Sequence, residues 1–431
     1  MANPVTAVPE ARPLLDEAAV RELSQRLGEN EALLERRLEA LRVFADTALP
    51  DRVQHLWRYS DPSRLLPSAI LGAAGPAAAA EVPELPEGGA VILLRAGAPP
   101  LVRLSDAAEK MGLRVAALEL DGDAADRLGT TVPAAHGFFE ALNGAAWSAG
   151  LSLEVPPKAR LEGPIRIVVP AAAGSSIPRL LVRIGELAEA TVVEEHAGGT
   201  EESYVTSVTE IEAGPGAHVR HMLLQSWGAG VAGHLTTRAR LDRDADLATI
   251  VVSFGGSRVK MDLGAVLDGP GARSELVGFV LGHDRQHMDH HTVHSHRSGR
   301  TWSNIDFKVA LTGYARSAYT GVIRIDEEAG ATEAYQENRN LLLSETCRAD
   351  TIPELEILTD DVQCTHGATV APLDEEMVFY LESRGIPREQ AERLIVRGFL
   401  EKTLSRVPEA VRPQVVEVVE ERLSHFLGGH R

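Results

Sequence analysis

Basic residues are the first shortage. The 431-residue chain sets 43 Lys and Arg against 62 Asp and Glu, a formal charge of −19 with a pI near 5.3. Gripping DNA or RNA through phosphate neutralisation needs a basic face, so nucleic acid is excluded as a partner, and an anionic membrane surface with it. Cysteine is scarcer still. Cys347 and Cys364, with 16 residues between them, can build neither a disulfide framework nor the CxxC pairs of a zinc site. No run approaches the ~20 apolar residues that cross a bilayer. The opening MANPVTAVPEARPLL lacks the positive start and apolar stretch of a signal peptide. A soluble, cytoplasmic protein is expected. The GxxxxGK[ST] phosphate loop and the GxSxG nucleophile elbow are also missing, which removes an ATPase engine and the commonest serine hydrolase. Aromatics at 4% alongside 38 glycines point to small, repetitive packing units rather than one aromatic-rich core.

What is present falls into about three units at roughly 150 residues each. The first ~60 residues read as helices, with Val20, Leu23 and Leu27 behind an N-cap at Asp16, and Leu34, Leu38 and Leu41 after Asn30. Residues 71–88 are rich in Ala, Pro and Gly and read as a linker. Residues 90–120 predict a strand, a helix and a strand, without the glycine fingerprint that a dinucleotide site requires. From about 151 to 370 the chain becomes short β-branched segments punctuated by Gly, Asp and Pro. Corners recur at Ala190, Ala217 and Ala248, with Gly271-Ala272-Arg273 as a fourth. A drifting period of this size predicts a solenoid of stacked strands. A sandwich or barrel is the alternative, less favoured because many strands lack the clean alternation of a sheet with one wet face. After Pro372 three helices return. The first opens at Asp374-Glu375-Glu376 and ends at Gly385, and the second carries Ala391, Leu394, Ile395, Phe399 and Leu400 on one side.

Two constellations offer chemistry. His283, His287, His290, His291, His294 and His296 crowd into fourteen residues, and imidazole is a ready ligand for zinc, copper or iron. On a strand, however, His287 and His291 point one way and His290, His294 and His296 the other. Histidines hydrogen-bonded along the sheet are the plain reading, a metal or partner surface the sharper one. The second constellation is Cys364-Thr365-His366-Gly367. In an extended chain, thiol and imidazole share a face at i and i+2, a donor pair suited to zinc or iron–sulfur chemistry. Two ligands do not complete a site, so the remainder would come from elsewhere, most simply a partner chain. A free cysteine is also often just a small buried hydrophobe.

At this point the residues resemble a known family. His287-Met288-Asp289-His290-His291-Thr292, the stretch from Ala334 to Ser344, Pro353-Glu354-Leu355-Glu356-Ile357, the stretch from Asp360 to Thr369 and that from Leu373 to Leu381 closely resemble SufB/SufD sequences, scaffold subunits of the SUF iron–sulfur cluster assembly machine. Trp57-Arg58-Tyr59-Ser60-Asp61 and Phe139-Glu140-Ala141-Leu142-Asn143 extend the resemblance over nearly the whole chain. Cys364-Thr365-His366-Gly367 looks like the SufD version. Cys347 departs from it, since SufD-like chains more often carry a non-thiol residue there and SufB-like chains can carry cysteine.

The resemblance implies a mainly β protein: a right-handed parallel β-helix flanked by α-helical N- and C-terminal regions. It places a helical region at 1–70, the linker and small α/β segment at 71–150, the β-helix at 151–370 and a SufC-docking helical region at 371–431. It implies a non-enzymatic scaffold that pairs edge to edge with SufB and binds the ATPase SufC through helices near 374–407. His366 and Cys364 become candidate ligands or transfer residues for a transient iron–sulfur cluster shared with SufB, and Cys347 an auxiliary sulfur site. A reduced flavin in the complex and a homodimer when SufB is scarce are left open by the sequence. The rivals are a SufB-like principal scaffold, to which Cys347 points, a β-helix carbohydrate-active protein, and a metal-dependent hydrolase using the 283–296 histidines, His290 and His294 among them.

Overall fold

The computed structural model describes residues 15–66, 82–171, 174–199, 202–407, 409 and 412–428; residues 71–81 of the expected linker and the first fourteen residues lie outside them. The chain is mainly β, with a solenoid of about eight turns between helical N- and C-terminal regions. Each turn contributes one strand to each of two facing sheets. The first sheet runs from Ile165–Pro170 through Glu189–Gly198, His218–Trp227, Asp246–Gly255, Arg273–Gly282, Trp302–Leu311 and Thr332–Leu342 to Val362–Pro372, every pair parallel. The second runs from Ala149–Val155 through Pro178–Ile184, Ser203–Ala213, Val231–Leu241, Arg258–Leu267, His287–His296 and Arg316–Ile325 to Arg348–Ile357.

The repeat lies at one corner of every coil. Lys158, Leu187, Gly216, Asp244, Gly271, Arg300 and Ala331 all take positive φ, between 56° and 78°. The N–H of each donates to a carbonyl in the corner of the following coil, as in Leu187 to Pro215, Asp244 to Pro270 and Ala331 to Asp361. A small buried residue follows each: Ala159, Ala188, Ala217, Ala245, Ala272, Thr301 and Thr332. The true repeat therefore places Ala188 and Ala245, not Ala190 and Ala248, with Ala217 and Ala272. Residues with their side chains at nearby corner positions blur the spacing, and only the left-handed turn fixes the register.

Both outer faces of the solenoid are covered, which explains the missing wet-face alternation. On the first sheet, Met222, Ile250, Val252, Phe254, Phe279 and Leu281 lie beneath Val396, Leu400, Leu404, Val407, Val415 and Leu423 of helices Arg388–Leu404 and Arg412–Gly428 and the loop between them. On the second, Ile177, Leu181 and Ala232 pack with Leu33, Phe44, Trp57, Phe138, Phe139 and Trp147 of the N-terminal region.

Two helical faces differ from the expected ones. In Glu31–Asp46 the buried side is Leu33, Arg37, Ala40 and Phe44, one residue off the leucine stripe. Arg37 is fully buried because Glu29 chelates it at 2.6–3.0 Å and the Trp147 ring lies 3.9 Å from its guanidinium carbon. In Arg388–Leu404 the buried residues include Ala391, Val396 and Leu400, while Leu394 is exposed.

The segment at 90–120 adds strands to both sheets. Ala90–Arg95 pairs in parallel with Ile165–Pro170, Ala98–Leu104 is an additional strand that folds back antiparallel on it, and the expected helix follows at Asp106–Lys110. Arg114–Ala117 closes the second sheet in the same antiparallel way. These strands cap the N-terminal end of the solenoid. Inside, aromatic bulk alternates with its absence: Gly278 lies in register with Phe307, and a Cβ on Gly278 would stand 2.4–2.8 Å from the Phe307 ring. Gly278→Ala is expected to cost about 1–3 kcal/mol of stability by overpacking, read as a lower urea midpoint with an unchanged slope.

Candidate functional site

The open end of the solenoid presents the cysteine–histidine pair. Strand Val362–Pro372 is hydrogen-bonded along one side only, to Thr332–Leu342. Its register sets Cys364 opposite Ala334 and His366 opposite Gln336, on the inward side of the coil by strand alternation. With no further coil above them, Cys364 is half-buried against the core and His366 is exposed. Burial pushes the Cys364 thiol up, against the opposing pull of a backbone hydrogen bond from Ala334. The layer beneath is polar. Gln336 Nε2 donates to Gly321 O at 3.2 Å, Asn338 Nδ2 to Phe307 O at 3.2 Å, and Asn340 Nδ2 to Asn338 Oδ1 at 2.6 Å and Thr369 O at 3.0 Å. The buried oxygens Gln336 Oε1 and Asn340 Oδ1 lack partners.

Cys347 is placed differently. It is buried in the same hydrophobic cluster, and its thiol donates to Ser344 O at 3.0 Å and Leu311 O at 3.5 Å. The thiol is engaged with the core and is not presented at the surface of the open end.

The sheet divides the clustered histidines as alternation requires. His290, His294 and His296 point inward and are buried, with His296 between Thr301 Oγ1 (2.7 Å) and Ser303 Oγ (2.9 Å), and His294 Nε2 3.2 Å from Ser274 Oγ. Burial holds all three low, His290 and His296 to about 4 and His294 to about 3. Outward, His287 Nε2 lies 2.9 Å from Ser60 Oγ, which donates to Asp289 Oδ2 at 2.5 Å. Among the described residues, none of the six joins a set of three His, Cys, Asp or Glu ligand atoms within 4.8 Å of one another.

A second group of polar residues was not singled out by the sequence. Thr236, Asp262 and His291 stand in register on three successive coils, as do His234, Lys260 and Asp289, all facing the N-terminal region. Asp262 Oδ1 accepts from Arg238 Nη2 at 2.6 Å and His291 Nδ1 at 2.5 Å. Although burial pushes Asp262 up, the charges of Arg238 and His291 and hydrogen bonds from His136 and His291 hold it well below the usual carboxylate range. Lys260 Nζ lies 3.1 Å from Asp289 Oδ2. The available signal was spacing: these residues recur one coil apart, which becomes visible only once the coil register is known.

Comparison with known proteins points one way. Residues 167–399 match the family described as SUF system FeS cluster assembly, SufBD core domain. A 269-residue stretch, 60% of the chain, is 34% identical to an iron–sulfur cluster assembly SufBD family protein of Mycobacterium tuberculosis, of which it covers 67%. A similar protein of Mycobacterium leprae is 34% identical over 256 residues, 57% of this chain and 64% of that one. The iron–sulfur cluster assembly protein SufB of Bacillus subtilis is 28% identical over 304 residues, 69% of this chain and 65% of that one.

The buried histidines give a pH dependence. In the unfolded chain they titrate near 6.5, whereas the folded chain refuses the proton until about pH 4 or below. The unfolded state therefore gains protons first as pH falls from about 7, and stability drops through the window from about 6.5 to 4. His294→Gln, neutral at every pH, is expected to reduce the loss of unfolding free energy between pH 7 and 5 by about 2 kcal/mol, measured by urea titration at both values.

Proposed function

The chain belongs to the SufBD family of the SUF iron–sulfur cluster assembly system, and we propose that within it this protein is a SufD-like scaffold subunit, cytoplasmic and without catalytic chemistry of its own. The observation that carries this reading is the asymmetry of the solenoid. Antiparallel strands cap its N-terminal end, while the last coil leaves an uncovered edge strand with Cys364 and His366 on its inward side. Exposed edges are normally blunted or covered, and a homologous solenoid adding its own last strands would continue both sheets. SufB is the partner proposed for that edge. Cys364 and His366 would then supply soft and imidazole donors to an iron–sulfur cluster in transit, with the remaining ligands from SufB.

The docking of SufC is proposed at the C-terminal helices. Helix Glu375–Ser383 and the start of the next expose Met377, Phe379, Tyr380 and Leu394, with Phe379 71% exposed. Large apolar side chains left exposed close together in the chain suit an interaction surface. ATP binding would reside on SufC, in keeping with the missing phosphate loop. A SufB-like role is the second reading, favoured by the similarity to the Bacillus subtilis SufB; the engaged Cys347 thiol gives it no support.

Co-expression with SufB and SufC followed by affinity isolation tests the architecture. Tagged chain is expected to retain both partners, and retention of neither would refute the reading. Phe379→Asp is expected to release SufC while SufB stays bound. His366→Ala is expected to lower iron and sulfide content of the isolated complex severalfold with subunit stoichiometry unchanged; unaltered content would remove His366 as a ligand.

A further inference from the structure

A cavity of about 370 Å³ lies between the N-terminal region and the outer face of the second sheet, remote in sequence from Cys364 and His366. Three ligand-bearing side chains converge on it. One ligand atom from each of His136, Glu140 and Asp262 lies within 4.8 Å of the other two. His136 Nε2 is 2.7 Å from Asp262 Oδ2, so imidazole and carboxylate already form a bite. Glu140 is 4% exposed and accepts from Thr236 Oγ1 through Oε1 at 2.5 Å. Its Oε2 is folded back over Gly137, where a Cβ would stand 2.5 Å away.

A fourth residue is aimed at the same place. His234 is 3% exposed and packs against two aromatic rings that also touch each other, Phe139 at 4.6 Å and Trp57 at 5.7 Å. Its Nδ1 has no hydrogen-bond partner and stands 3.9 Å from Glu140 Oε1. His291 lines the cavity as well, with Nδ1 committed to Asp262 and Nε2 unpartnered. Buried polar atoms seldom go unsatisfied without a reason such as a missing ion or water. The neighbouring cations do not fill that role. Arg238 is already engaged by Asp262 Oδ1 and Thr237 O, and Lys260 is paired with Asp289.

We propose that His136, Glu140 and Asp262 form a binding site for one divalent first-row transition ion, with His234 as the adjoining imidazole. Two carboxylates and an imidazole suit Fe²⁺, Mn²⁺ or Zn²⁺ and offer no thiolate to a cuprous ion. Asp262 reaches the ion through Oδ2, while Oδ1 stays fixed by Arg238 and His291, the outer-shell anchoring that ligating carboxylates use. The ion ties the loop before helix Phe138–Ala146 to the coil of Arg258–Leu267, joining the N-terminal region to the solenoid. The site does not depend on the assignment of Cys364 and His366.

The test uses the full-length chain, stripped with chelator and dialysed to equilibrium against Co²⁺, Zn²⁺ or Fe²⁺ under anaerobic conditions, with bound metal measured by mass spectrometry. One equivalent is expected, together with a Co²⁺ absorption spectrum and a rise in the thermal midpoint that Mg²⁺ does not produce. His136→Gln, which keeps a donor to Asp262, and Glu140→Gln, which keeps the Thr236 contact, are each expected to weaken binding at least about tenfold. The Cys364→Ala, His366→Ala double variant is expected to bind as the parent does. Absence of a bound equivalent in the parent overturns the proposal. Unaltered affinity in both His136→Gln and Glu140→Gln overturns it too, as does loss of the ion in the double variant alone.

Discussion

A parallel ladder has two ends, and each leaves a row of peptide N–H and C=O groups without partners. Everything distinctive about this molecule follows from how it treats them. At the N-terminal end the chain reverses direction: Ala98–Leu104 and Arg114–Ala117 lie antiparallel and cap the two sheets. At the C-terminal end nothing reverses. The last coil runs out parallel, with Val362–Pro372 exposed along most of its length and a layer of Gln336, Asn338 and Asn340 just inside it. The solenoid is closed at one end only, and the Cys364 and His366 side chains sit at the end that is left open.

Burial on both outer faces imposes a second constraint, because outward side chains must be satisfied as strictly as inward ones. Against the C-terminal helices the first sheet sets Met222, Ile250, Phe254 and Phe279 in an apolar seam, with Glu275 and Asp306 paired to Arg406, and Lys308 over Phe399, beside it. Against the N-terminal region the second sheet sets charged pairs among its apolar contacts. Arg179 binds Glu210, whose carboxylate also accepts the N–H groups of Gly129, Thr131 and Val132, and further along come Arg238 with Asp262 and Lys260 with Asp289. Charges taken out of water are tolerated only when paired and hydrogen-bonded. The carboxylates of these pairs also reach the N-terminal region, Asp262 through His136 and Asp289 through Ser60, beside the polar cavity at Trp57, His136 and His234.

The interior shows the same economy. Glu194 is fully buried yet held as a carboxylate well below the usual range: burial pushes it up, but His196 at 2.7 Å and His221 at 3.2 Å outweigh that, and Thr209 donates from the opposite sheet. Further along the bore, His290, His294 and His296 remain neutral in the absence of any acid among them. Acid beside histidine favours the charged pair, and histidine alone favours the neutral ring.

The sequence by itself determined the class of protein. Shortage of basic residues, an Asp16 and an Asn30 placed to cap helices, a drifting corner period and the Cys364-Thr365-His366-Gly367 motif were all legible, because each is a local matter of composition, backbone preference or alternation along one strand. Alternation alone correctly assigned the histidines of His287–His296 to opposite faces. What lay beyond it was registration between coils. Ala188 rather than Ala190 marks the repeat because Leu187 takes the left-handed turn, and Arg37 rather than a leucine faces inward because Glu29 and Trp147 receive it. Only the tertiary structure decided that Cys347 is engaged with the core while Cys364 stays at the open end, and only it brought His136, Glu140 and Asp262 together. Those three are 126 residues apart at their widest, and their meeting depends on which outward face each coil presents and on what folds back over it. A hydrophobic pattern specifies that a face is buried; the partner across it is chosen by charge pairing and shape, which no single strand contains.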